Sequence, residues 1–179
     1  MRHRLLTSIL LALTITLGVV APANAKTPLV GTMDLQFNLA WPGPSVEVPD
    51  WVGTVTIDGV EYGMAFFNTG TGKPFDSQPS DGVIFFEETW VIYQDLHFAF
   101  EEIEAGFILT EFEPGEVLLS GYDSGVVVLA NGSYRMNGFV EEAYDPYASW
   151  LGRQVHMSGT VLFSAQGAPN FAPGMIRLN

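Results

Sequence analysis

Along most of the chain, apolar and polar side chains alternate one by one. That is the period of a strand, not of a helix. Met33, Leu35, Phe37, Leu39 and Trp41 share one face, and Asp34, Gln36, Asn38 and Ala40 share the other, so a half-buried strand is predicted there. Residues 51–57 and 60–67 read as two strands joined at Asp58-Gly59, a dipeptide suited to the positive φ that both central residues of a two-residue hairpin need. Residues 68–82 are turn formers throughout and predict a long loop. Further strands are predicted over 83–93, 107–112, 116–119, 126–130, 133–140 and 150–163, with a turn or bulge over Gly121–Gly125 and a second tight hairpin at Asn131-Gly132. Residues 95–105 are the sole helix candidate and equally continue a sheet. The tail from Gln166, which carries Pro169 and Pro173, is expected to wrap the surface.

About eight to ten antiparallel strands with hairpin links favour closure, which removes exposed sheet edges. Glycines inside strand patterns (Gly53, Gly63, Gly138, Gly152, Gly159) fit barrel corners and bulges. The fold predicted is all-β, a single-domain antiparallel β-barrel of calycin-like shape; the alternative is a two-sheet β-sandwich. The resemblance is one of shape, without a lipocalin G-x-W start.

The N-terminus departs from this pattern. A basic stretch at Arg2, His3 and Arg4 precedes an apolar run from Leu5 to Val20, and then small residues at Ala23 and Ala25. This is the pattern of a secretory signal peptide over residues 1–25, cleaved after Ala25 to leave a barrel domain over 26–179 in the periplasm or outside the cell. No later apolar run is long enough for a membrane-spanning helix, so the mature chain is expected to have no integral span. An outer-membrane barrel is disfavoured, because the strands are mostly shorter than the roughly 9–11 residues a crossing needs.

Charge narrows the function classes. The chain carries 20 acidic and 7 Lys or Arg residues, a net charge of −13, and loss of Arg2 and Arg4 would make it −15. Nucleic acid is excluded as a partner, since phosphate binding needs clustered cations. With 0 cysteines there is no disulfide, thiol nucleophile or thiolate metal site. His97 and His156 without a nearby carboxylate set do not make a metal centre, and no cofactor motif is present.

Candidate chemistry centres on Glu87 and Glu88, inside an otherwise apolar strand. Adjacent strand residues face opposite ways, so Glu87 sides with Phe85, Val91 and Tyr93, and Glu88 with Phe86, Trp90 and Ile92. Whichever face is interior, one carboxyl stands among aromatics, where desolvation raises its pKa. Arg135 and Asn137 share one face of their strand, and Tyr134 and Met136 take the other. Arg153 sides with an apolar row and His156 with a polar one.

The expected ligand-binding set is Glu87, Glu88, Trp90, Tyr93, Arg135 and Asn137, around a small apolar or amphipathic molecule held in the barrel. One alternative is an isomerase or cyclase that uses the buried carboxyl as acid or base. The other is an extracellular glycan-binding or structural module built on surface Trp and Tyr. A strand apolar on both faces also predicts outer coverage by a partner copy, giving a homo-oligomer, or by the Pro-rich tail.

Overall fold

The period-two pattern closes on itself. The computed structural model describes residues 27–69 and 82–179. It contains twelve strands: β1 Leu29–Phe37, β2 Trp51–Ile57, β3 Val60–Asn68, β4 Val83–Tyr93, β5 Leu96–Ile103, β6 Gly106–Pro114, β7 Val117–Val128, β8 Ser133–Ala143, β9 Gln154–Thr160, β10 Leu162–Phe163, β11 Pro169–Phe171 and β12 Gly174–Leu178. Eight of them, in the order β1-β2-β3-β4-β7-β8-β9-β12, pair antiparallel, and β12 returns to β1 to close a barrel. The signal-peptide pattern over 1–25 and most of the long loop lie outside the described residues.

Inward positions form the core. Along β1 the alternation is strict, with Leu29, Met33, Leu35 and Phe37 buried and Val30, Thr32 and Asp34 exposed. The β2–β3 hairpin turns at Asp58 and Gly59, whose φ values of 50° and 80° are the left-handed pair expected for this dipeptide. Barrel width is set by large residues opposite glycines. Phe86 of β4 faces Gly125 of β7, and Trp90 faces Gly121, where a Cβ would lie 2.6 Å from the indole. The outer surface carries Asp34, Glu61, Glu87, Arg135, His156 and Arg177, all exposed. Exposed Val30, Phe85, Phe139 and Met175 lie among these charges, so the outer face is mixed rather than a continuous apolar belt.

Several details differ from the sequence reading. The segment 95–105 is not helical: β5 and β6 form a separate hairpin laid against the outside of the barrel. Its Phe98, Phe100, Leu109 and Phe112 cover Val52, Ala65, Phe67 and Tyr93 on the outer face of β2, β3 and β4. The hairpin is the cover for Tyr93 and its neighbours that was expected from a second copy or the tail. Backbone bonds tie it on, with Leu39 N–H donating to the Phe107 carbonyl at 2.9 Å. The tail does more than wrap the surface, since β12 is a barrel strand with Ile176 and Leu178 fully buried. Gly121–Gly125 lies within one continuous strand, and the bulge sits just before it, between Ser120 and Gly121. At Asn131-Gly132 only the glycine has positive φ, and the link is a longer turn in which the Gly132 N–H donates to the Val128 carbonyl at 2.8 Å. Arg153 precedes β9 and is exposed, and His156 is outward, hydrogen-bonded to Asn137 at 2.6 Å.

Candidate functional site

One row of inward positions is polar. Register sets Asn68 of β3 beside Glu88 of β4, and Glu88 beside Asp123 of β7. Directly paired strand residues stand about 4.5–5.5 Å apart at Cβ. A carboxamide and two carboxyls are therefore neighbours inside the barrel. Asp50 brings a third carboxyl from the residue before β2. Its backbone is fixed on both sides, N–H donating to the Phe66 carbonyl at 3.1 Å and carbonyl accepting from Asn38 N–H at 2.8 Å. Asn38, itself buried, donates to the Pro49 carbonyl and accepts from Leu109 N–H of the outer hairpin. The hairpin thereby braces the turn that delivers Asp50.

All three acids are out of water: Asp50 is 3%, Glu88 4% and Asp123 0% exposed. Burial favours the neutral form. It pushes Asp50 up to about 7, against the pull of hydrogen bonds from Glu88 and from the backbone N–H groups of Asp50, Trp51 and Asn68. Burial also raises Glu88 well above the usual range, helped by the charges of Asp50 and Asp123 and by its bond to Asp50. Asp123 rises likewise through burial and then the Asp50 charge. The bond they share raises Glu88 and lowers Asp50, as when a Glu88 O–H donates to the Asp50 carboxylate. Burial raises the Tyr134 phenol too, followed by the fields of Glu88 and Asp123.

Above this row is a partly open cavity with about 50 Å³ of room for water-sized molecules. Asp50, Asn68, Glu88 and Tyr134 supply its polar wall. The rest is apolar, with Phe37, Trp51, Phe66 and Phe86 as rings and Met33 and Met136 as flexible side chains. Several polar atoms here have no hydrogen-bond partner: Asp50 Oδ1, Asn68 Oδ1, the Tyr134 hydroxyl and Trp41 Nε1 in or beside the wall, and both Asp123 oxygens behind it. Buried polar groups are normally satisfied, so unmet ones converging on a cavity mark a place where something else supplies the bond.

Of the residues singled out in the sequence, Glu88 lines the cavity, and Trp90 is inward and fully buried below it. Glu87, Arg135 and Asn137 are exposed on the outer face, and Tyr93 is outward under the hairpin. These four, like Trp90, are not among the residues that line the cavity. Asp50, Asn68, Asp123 and Tyr134 were missed as site residues. A signal existed for Asp123: Leu119, Gly121, Asp123, Gly125 and Val127 form one period-two row once the strand is read through its glycines. Among the described residues no group of His, Asp or Glu is placed to hold a metal ion. Nor is any helix there long and apolar enough to cross a membrane. Compared with known families, curated proteins and solved structures, the chain matches none.

Proposed function

We propose that this is an exported protein that holds one small amphipathic molecule in the cavity of its barrel. The export half of the reading rests on the signal-peptide pattern over residues 1–25. The binding half is carried by one observation: an apolar, ring-lined cavity into which the unmet oxygens of Asp50 and Asn68 converge. A water needs about 10–15 Å³ of such room, and a dry cavity of about 150 Å³ accepts benzene. At about 50 Å³ the room suits a short chain, or the end of a longer molecule that emerges from the mouth. Trp41 and Trp51 stand in the wall, so occupancy is readable by tryptophan fluorescence. Titration with 1-butanol, n-butylammonium and butyrate is expected to give a saturable change with at least one probe. Linear, unsaturable responses to all three would remove the reading. Native mass spectrometry of protein purified from the producing cells without organic solvent is expected to show the resident mass.

A second reading is favoured by the Asp50–Glu88 pair. Two hydrogen-bonded carboxyls, Asp50 pushed up to about 7 and Glu88 raised well above the ordinary carboxylate range, set a proton donor against an acceptor. Such a pair suits proton transfer within a bound molecule, as in isomerisation or cyclisation. If the site is catalytic, Glu88→Gln abolishes turnover and leaves the protein folded. The glycan-binding alternative has less support, because Trp51, Trp90 and Trp150 are buried and Trp41 is half-buried.

A further inference from the structure

Among the described residues, the charge inside the barrel is of one sign. Asp50, Glu88 and Asp123 are buried there. Among the described residues every cationic side chain, His97, Arg135, Arg153, His156 and Arg177, is exposed. The titratable groups around Asp50 are Glu88 from β4 and Asp123 from β7, with Tyr134 of β8 in the same cavity wall, each acidic. Three carboxyls without a counter-charge among the described residues cost stability. Two of the unmet atoms in the wall, Asp50 Oδ1 and Asn68 Oδ1, are hydrogen-bond acceptors, and Asn68 is 6% exposed. A complementary ligand must therefore donate. An ammonium brings several N–H donors and no acceptor. The exceptions are Trp41 Nε1–H, a donor on a half-buried side chain, and the Tyr134 hydroxyl, which donates or accepts. The remaining wall offers ring faces at Phe37, Trp51, Phe66 and Phe86, which attract cations through their quadrupoles.

We propose that the cavity takes a small organic cation, an alkyl- or arylammonium, whose N–H groups are met by Asp50, Glu88 and Asn68 while its hydrocarbon lies on the aromatic wall. This rests on the cavity being a binding site, as argued above. Entry of the cation displaces a proton from the carboxyl pair, so binding and protonation compete. With Asp50 near 7, the carboxylate is available above that pH and is neutralised below it.

The test compares n-butylammonium, 1-butanol and butyrate on the mature protein at pH 8, by calorimetry and tryptophan fluorescence. The ammonium is expected to bind about tenfold or more tighter than the alcohol, the worth of a buried charged hydrogen bond, with butyrate weakest. Its advantage shrinks toward pH 5, while alcohol binding stays flat. Calorimetry near pH 7 in two buffers of different ionisation heat shows proton release with the ammonium alone. In the Asp50→Asn, Glu88→Gln double variant the alcohol still binds and the ammonium advantage is lost. If that variant does not fold, the wild-type panel and its proton release decide. Equal or tighter binding of 1-butanol or butyrate overturns the cation inference and leaves the cavity reading standing. Absence of saturable binding by all three overturns both.

Discussion

The barrel's two ends are made from the same strands and are finished in different ways. At one end the inward residues are Ile57, Ile92, Leu119, Val140, Val155 and Leu178, all at or near zero exposure. The chain between β8 and β9 folds back there and buries Tyr147 and Trp150 in the same core. Its bonds are internal: the Tyr147 hydroxyl donates to that of Tyr62 at 3.1 Å, the Val140 N–H donates to the Arg153 carbonyl, and the Gly152 N–H donates to the Val140 carbonyl. At the other end the same alternation delivers Asn68, Glu88 and Asp123, with Asp50 beside them, and leaves room above. One end is optimised for packing. The other carries buried acids whose cost packing does not explain, a pattern expected where function is bought with stability.

The sharpest way to break this contrast is to open the filled end. Trp150→Ala is expected to cost about 3–5 kcal/mol, the range for a buried aromatic, read by urea denaturation. A much smaller loss would mean that this end is not closed as described. The acid end predicts a change of opposite sign. Unfolded, Asp123 releases its proton near 3.8, whereas the folded state holds it to far higher pH. The unfolded state is thus the more deprotonated one, and stability falls as pH rises above about 4. Asp123→Asn is expected to stabilise at pH 8 by about 1–4 kcal/mol, since proton linkage is worth about 1.4 kcal/mol for each pH unit over which only the folded state holds the proton, and by less at pH 5. Asp50 contributes the same slope between 3.8 and about 7, so thermal melts should show a lower Tm at pH 8 than at pH 5. A Tm that climbs over this window would contradict buried, unpaired carboxyls.

Smaller effects sharpen the comparison. Tyr147→Phe removes one hydroxyl pair and is expected to cost about 0.5–1.5 kcal/mol without altering probe binding at the far end. Arg135→Ala on the outer face should leave both stability and probe affinity unchanged within error. A loss of binding in that variant would restore Arg135 to the site.

Much of the barrel was legible because one face of each strand is buried and the period shows it. β1 and the Asp58-Gly59 turn needed only local sequence. For the Glu87/Glu88 doublet the pattern gave the two faces but not which is inside; that depends on the pairing of Glu88 with Asn68 and Asp123. Asp50 was invisible, because its burial arises from a turn held by Asn38 and braced by a hairpin distant in sequence. Tyr93 was misread for a related reason: a strand apolar on both faces signals two covers, and nothing local says that β5 and β6 supply the second. Asp123 was hidden by its glycine neighbours, which mimic a turn and in fact make space for Trp90 and Phe86.

The most direct test of the account uses the methionine methyls as reporters. Met33 and Met136 line the cavity, and Met175 is exposed on the outer face of β12. With methyl-labelled methionine, NMR titration with n-butylammonium at pH 8 is expected to shift Met33 and Met136 saturably and leave Met175 in place. Saturable shifts confined to Met175, or none at Met33 and Met136 with any of the three butyl probes, would contradict the claim that this end of the barrel is a binding site.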